Sequence, residues 1–231
     1  MHEQQKNVLN NAWISSLLQR VDDLRGNGFR SREGSIARRY LRDFDMDWAQ
    51  LKGKKILDIG AGQAGFAKRA QQKGIDVVSF DRAFGYMGLE EFKPFQGVPY
   101  IMGDAHDLHV YFSPEQFDLA VSKSALKYML LTSPENPATE NSIEDRLAHI
   151  LHEVELVLKP GGEFRFDGED WLGVLYKEYN PLNTPGTPTK EIAAYGLAWA
   201  QKVNPHITLG WSRGKELDKK PFFIFSKQKR L

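Results

Sequence analysis

The segment from Lys54 to Asp81, KKILDIGAGQAGFAKRAQQKGIDVVSFD, constrains the fold more than any other part of this 231-residue chain. Ile56, Leu57 and Ile59 form the short apolar run of a strand covered on both faces. Gly60, Gly62 and Gly65 then remove side chains where the backbone must turn, so that a ligand can approach the main chain closely. A helix starting near Gly65 presents unpaired N–H groups to the crevice. Asp81 closes the next strand at a height where its carboxylate can accept from ribose hydroxyls. The pattern predicts half of an adenosine site at the edge of a parallel sheet.

Glycine spacing alone does not select the adenosine ligand, because Gly60-x-Gly62-x-x-Gly65 also satisfies the dinucleotide fingerprint. Asp58, two residues before the first glycine, tilts the choice. A pyrophosphate at that spot would face a negative charge, whereas an ammonium would be favoured by it. NAD carries the pyrophosphate; S-adenosyl-L-methionine carries an ammonium and a sulfonium. The competing reading of Asp58 is a turn cap that orders the glycine loop through its N–H groups.

The length suits one well-buried domain with a small appendage. Hydrophobic residues make up 41% and charged residues 26%, an ordinary globular balance, and the formal net charge of +1 supplies no global field for nucleic acid or an anionic membrane. The absence of cysteine removes disulfides, thiolate metal sites and a cysteine nucleophile together. No apolar run approaches the roughly 20 residues needed to span a bilayer, and the start MHEQQKNVLNNAW lacks the pattern of a signal peptide. A cytoplasmic protein is the expectation, monomeric or homodimeric.

Residues 1–50 read as a helical cover and 51–231 as the catalytic domain. Val8, Trp13, Ile14, Leu17, Leu18, Val21 and Leu24 recur at helical spacing, and a second helix is expected from Ser35 to Phe44. From Gly53 onward, short apolar runs alternate with helical segments, the signature of a parallel sheet wrapped by helices. Seven strands are expected: Lys55–Ile59, Val77–Phe80, Pro99–Met102, Leu119–Ser122, Glu163–Phe166, Ile207–Ser212 and Phe222–Ser226. Helices are expected at Gly65–Lys73, around Leu89, at Ile143–Leu158 and at Lys190–Gln201. The last two strands, joined by a short polar stretch, predict an antiparallel hairpin that leaves the sheet mixed.

Four segments in order, LDIGAGQAG, VVSFD, YIMGDAHDL, and FDLAVS with LKPGG after it, resemble the motifs of class I S-adenosylmethionine-dependent methyltransferases. The resemblance runs from about Gly53 to the C-terminus. It implies a three-layer, Rossmann-like α/β sandwich and S-adenosyl-L-methionine as cofactor. Carried over residue by residue, it implies that Gly60, Ala61, Gly62 and Gly65 form the turn along the methionine part and ribose, with Asp58 reaching the ammonium. It places Asp81 on the ribose diol, Asp104 on the adenine amino group, the Ala105 N–H on the ring, and Ser122 near the methionine end through its backbone. Arg82 departs from the apolar residue usual there and reads either as a guanidinium stacked on adenine or as a solvated side chain.

Methyl transfer from a sulfonium chiefly requires alignment and exclusion of water, so no obligatory triad is expected. After the fourth strand, SKSALKYM offers Tyr128 to orient an acceptor, with packing as the alternative, and Lys123 and Lys127 read as solvated. After the fifth, FDGEDW gathers Asp167, Glu169 and Asp170 as candidates for a base or a cation-binding group; a magnesium site or a plain charged loop are the alternatives, and no metal is assigned. Arg38, Arg39, Tyr40 and Trp13 of the cover are candidates to face the cleft, with one of the arginines on the cofactor carboxylate. The expected activity is methyl transfer to oxygen, nitrogen or carbon of a small molecule. RNA or protein as acceptor, an NAD-binding oxidoreductase and a non-catalytic cofactor binder are the competing readings.

Overall fold

The computed structural model describes residues 33–82, 94–131, 143–168, 190–213 and 219–229. Trp13, the first expected helix and the helix expected around Leu89 lie outside them, as do Glu169 and Asp170. Among the described residues no helix is long and apolar enough to cross a membrane.

Seven strands form one sheet: β1 Lys55–Ile59, β2 Asp76–Asp81, β3 Tyr100–Met102, β4 Phe117–Ser122, β5 Leu158–Asp167, β6 Ile207–Trp211 and β7 Pro221–Ser226. Their order is β3-β2-β1-β4-β5-β7-β6. The first five run parallel and β7 runs antiparallel to both neighbours. The expected hairpin is therefore present, and β7 inserts between β5 and β6 so that β6 becomes the edge. Strand order reverses between β1 and β4, which opens a crevice at their carboxyl ends where ligands of such sheets bind.

Side chains alternate across the sheet with a period of two, and each face is covered. On one face Ile56, Val77, Leu119, Val121 and Phe222 pack under α1 Glu33–Asp43, α2 Trp48–Leu51 and α3 Gly65–Gln71. On the other, Leu57, Ile59, Ala120, Phe164 and Phe223 pack with side chains of α4 Leu108–Tyr111, α6 Ile143–Val157 and α7 Lys190–Val203. A further helix, α5 Leu126–Leu131, follows β4.

Helix α1 presents Ala37, Tyr40 and Phe44, spaced three and four apart, to the sheet. The Tyr40 ring stacks on Phe66 of α3 with centroids 4.6 Å apart, and Phe44 meets Phe222 edge-on at 5.9 Å. Burying side chains of this size contributes about 1.5–3 kcal/mol each, so α1 is fastened to the sheet as a layer of the core. Gly65 permits the closeness of the two helices: a Cβ there would meet the Ile36 side chain at 2.9 Å.

Candidate active site

The strand period decides which side chains share the crevice. Asp58 follows Ile56 on the face covered by α1, and Asp81 and Asp167 close β2 and β5. Asp58 is completely buried. Its Oδ1 accepts the Tyr40 hydroxyl at 3.0 Å, and its Oδ2 has no hydrogen-bond partner among the described residues. Burial pushes its carboxyl up to about 8; the Tyr40 hydrogen bond opposes this and the nearby Asp81 charge adds to it. Burial and the Asp58 charge also raise the Tyr40 phenol well above its ordinary range, so it remains a neutral donor.

The glycine turn is ordered by strand β2. Gly60 and Ala61 donate to the Phe80 carbonyl at 2.7 and 3.3 Å, and Gly62 donates to Oδ2 of Asp81 at 2.7 Å. The turn-cap role considered for Asp58 thus falls to Asp81. Gly60 and Gly62 have φ of +73° and +56°, the left-handed region where glycine carries no steric penalty. The two differ in surroundings: a Cβ on Gly60 would overlap the Ala125 side chain, whereas none of the described residues lies within 4 Å of one on Gly62. Among the described residues Gly62 therefore has open space beside Asp81.

At the ends of β2 and β3, Asp104 is doubly engaged. Arg82 pairs with one oxygen at 2.7 Å, and the His106 ring Nδ1 and backbone N–H meet the other at 2.7 and 3.0 Å. Burial opposes ionisation, but His106 and Arg82 outweigh it and hold the Asp104 carboxyl below its usual value. Arg82 is thus tied to Asp104 rather than solvated. Ala105 is buried at the start of a single 3-10 turn, Ala105–Asp107, capped by Asp104.

On the acceptor side the lysine expectation is overturned. Lys123, directly after β4, is partly buried, its ammonium 2.8 Å from Asp43 of α1 and 2.9 Å from Asp167 of β5. Burial alone would lower its proton affinity, but the two carboxylates outweigh this and hold the ammonium charged. Asp43 also pairs with Arg42 at 2.6 Å, and these cations hold its carboxyl low against the effect of burial. Lysine's usual exposure misled because its partners are distant in sequence. The available signal was Asp43 itself, a carboxylate on the same helical face as Tyr40 and Phe44.

The remaining candidates divide. Ser122 is buried at the end of β4, and its Oγ has no hydrogen-bond partner among the described residues. Tyr128 lies in α5, but its side chain is outside the described set, as is Glu169. Arg38 and Arg39 are exposed on α1, whereas Tyr40 points inward. Among the described residues no group of three or more His, Asp or Glu could hold a metal ion.

Residues 57–166 match the family model described as a methyltransferase domain. That match spans just under half of the chain. Across 114 residues it is 26% identical to the biotin biosynthesis bifunctional protein BioHC of Cellvibrio japonicus, covering 49% of this chain and 19% of that protein. Across 76 residues it is 33% identical to ribosomal RNA large subunit methyltransferase E of Wolbachia sp. subsp. Brugia malayi, covering 32% of each. The matches thus span at most about a third of those relatives' lengths. The fold is shared with a TehB-like S-adenosylmethionine-dependent methyltransferase from Corynebacterium glutamicum, at TM-score 0.51 and 16% identity, covering 94% of this chain and 100% of that one.

Proposed function

We propose that the protein is an S-adenosyl-L-methionine-dependent methyltransferase that acts on oxygen, nitrogen or carbon of a small-molecule acceptor. The observation that carries this reading is Asp58 Oδ2, a buried carboxylate oxygen without a partner at the mouth of a glycine turn. A cationic ligand group satisfies that atom; a pyrophosphate does not. Asp81 beside the open Gly62 suits a ribose diol, since a carboxylate offers two acceptor oxygens. Asp104, held ionised by Arg82 and His106, keeps an acceptor at the adenine end, near the Ala105 N–H.

When bound, the cofactor supplies a methyl group on a sulfonium, whose thioether departs without needing a proton. The chain's tasks are then to bind, to align and to exclude water. Lys123 remains an ammonium and so is no base; with Asp43 and Asp167 it fixes the floor where α1, β4 and β5 meet. Asp167 has one oxygen committed to that floor, and with Tyr128 and Glu169 it stays a candidate, from the sequence, for orienting or deprotonating the acceptor.

The ribosomal RNA methyltransferase among the relatives favours RNA as a second reading of the acceptor, and the net charge of +1 weighs against it. Methyl incorporation from labelled cofactor into a metabolite extract, with total RNA in parallel, separates the two. Label in the small-molecule pool is expected; label confined to RNA rejects the small-molecule reading.

A further inference from the structure

Asp58 is held in an unusual way for a fully buried carboxyl. Among the described residues, the titratable groups that face it are Tyr40 from α1, Asp81 from β2 and Tyr100 from β3, none of them a cation. Opposite it in the sheet stand Ser79 on β2 and Val121 on β4, which bring no charge. One oxygen is fixed by a neutral hydroxyl and the other meets no donor. An ionised carboxylate left in that state would bear its full desolvation penalty, so these surroundings favour the acid form, with the proton on Oδ2.

The Tyr40 hydroxyl is placed by its ring, which lies parallel to Phe66 at 6° and edge-on to Phe44 at 81°. The ring packing is separable from the hydrogen bond. We propose that Tyr40 is a positioning residue for the cofactor: its hydroxyl holds Oδ1 of Asp58 so that Oδ2 receives the cofactor's ammonium, and binding expels the proton that Oδ2 carries in the empty chain. The step balances simply. The O–H bond of the Asp58 carboxyl breaks, its proton passes to buffer, and the carboxylate formed accepts from an ammonium that keeps all three N–H bonds.

The sign of the pH dependence follows. Below the titration of Asp58, binding must expel a proton and is weakened; as pH rises through it, affinity climbs and proton release fades. The Tyr40 hydroxyl donates to the ionised form and favours it. Without that hydroxyl the titration moves to higher pH, and binding near neutrality suffers most.

This inference rests on the methyltransferase reading, and titration calorimetry with S-adenosylhomocysteine separates the two. Measured in buffers of different ionisation heat, the unaltered protein should release close to one proton per ligand near pH 7, declining as pH rises. Tyr40→Phe should weaken binding on the order of tenfold near neutrality, with the deficit narrowing as pH rises and the proton-release curve displaced to higher pH. A merely structural role for Tyr40 would lower affinity equally at every pH. Asp58→Asn, which has no proton to lose, should bind weakly with no release, and decides the matter even if Tyr40→Phe folds poorly. Binding to the unaltered protein without proton release, or a pH-independent loss in Tyr40→Phe, overturns the inference alone. No binding at any pH overturns the methyltransferase reading beneath it.

Discussion

Asp43, at the end of helix α1, and Asp58, beneath it, are both buried, yet one is flanked by cations and the other meets none among the described residues. Asp43 lies between Arg42 and Lys123, and Lys123 reaches on to Asp167, so three elements are tied together by charge balanced within the chain. Among the described residues Asp58 meets the Tyr40 hydroxyl alone. Its carboxyl is accordingly pushed up while that of Asp43 is held down. The difference separates two uses of a buried acid. Where the fold needs a fastening the chain supplies the counter-charge itself, and at Asp58, the proposed seat of the cofactor's ammonium, the described residues supply none.

Removing the cation from the balanced group should have the largest effect. Lys123→Met leaves Asp43 and Asp167 buried without their shared partner and should cost about 3–5 kcal/mol in urea unfolding. Adding Asp43→Asn and Asp167→Asn should restore much of that loss. A cost below about 1 kcal/mol for Lys123→Met would show that the group is not a fastening.

Asp58→Asn should act in the opposite sense on the empty chain. The folded carboxyl lies above its unfolded value of 3.8, at about 8, so its ionisation opposes folding increasingly as pH rises between those values. Melting curves should therefore show the variant gaining on the unaltered protein from acid towards about pH 8, while S-adenosylhomocysteine binding falls about tenfold to a hundredfold. Equal melting at all pH values would place Asp58 outside the unbalanced class. Asp43 has the reverse sign: its folded carboxyl is held below the usual value, so its contribution is present above that value and is lost on acidification.

The glycine turn offers a finer contrast. Gly60→Ala combines a φ of +73° with overlap on Ala125 and should destabilise by about 1–3 kcal/mol. Gly62→Ala, at +56° but facing open space, should cost about 1 kcal/mol in stability while weakening ligand binding more than Gly60→Ala does relative to its stability loss. The smallest effect belongs to Lys159→Ala. Its ion pair with Asp118 at 2.8 Å is partly exposed, and chemical denaturation should register a loss of at most about 1 kcal/mol.

The seven strands were legible because strands buried on both faces, such as Ile56–Ile59 and Leu119–Val121, are written as short apolar runs between turns. The insertion of β7 between β5 and β6 was not, since a hairpin pattern specifies adjacency but not which strand takes the inner place. Asp58, Asp81 and the glycine turn were visible as local sequence. The contacts that give them chemistry were not: Tyr40 meets Asp58 and Lys123 meets Asp43 only through tertiary packing between segments distant in the chain. Arg82 shows the same limit, for its partner Asp104 belongs to the next strand's turn. Amphipathic spacing placed Tyr40 on an inward face but carried no information on what its hydroxyl would touch.

The central claim is that the crevice at the ends of β1 and β2 is built for a cationic S-adenosyl ligand. It is tested most directly by calorimetric titration of the unaltered protein with S-adenosylhomocysteine and, separately, with NADH. Saturable binding of S-adenosylhomocysteine and none of NADH is the expected result; binding of NADH with none of S-adenosylhomocysteine would contradict it.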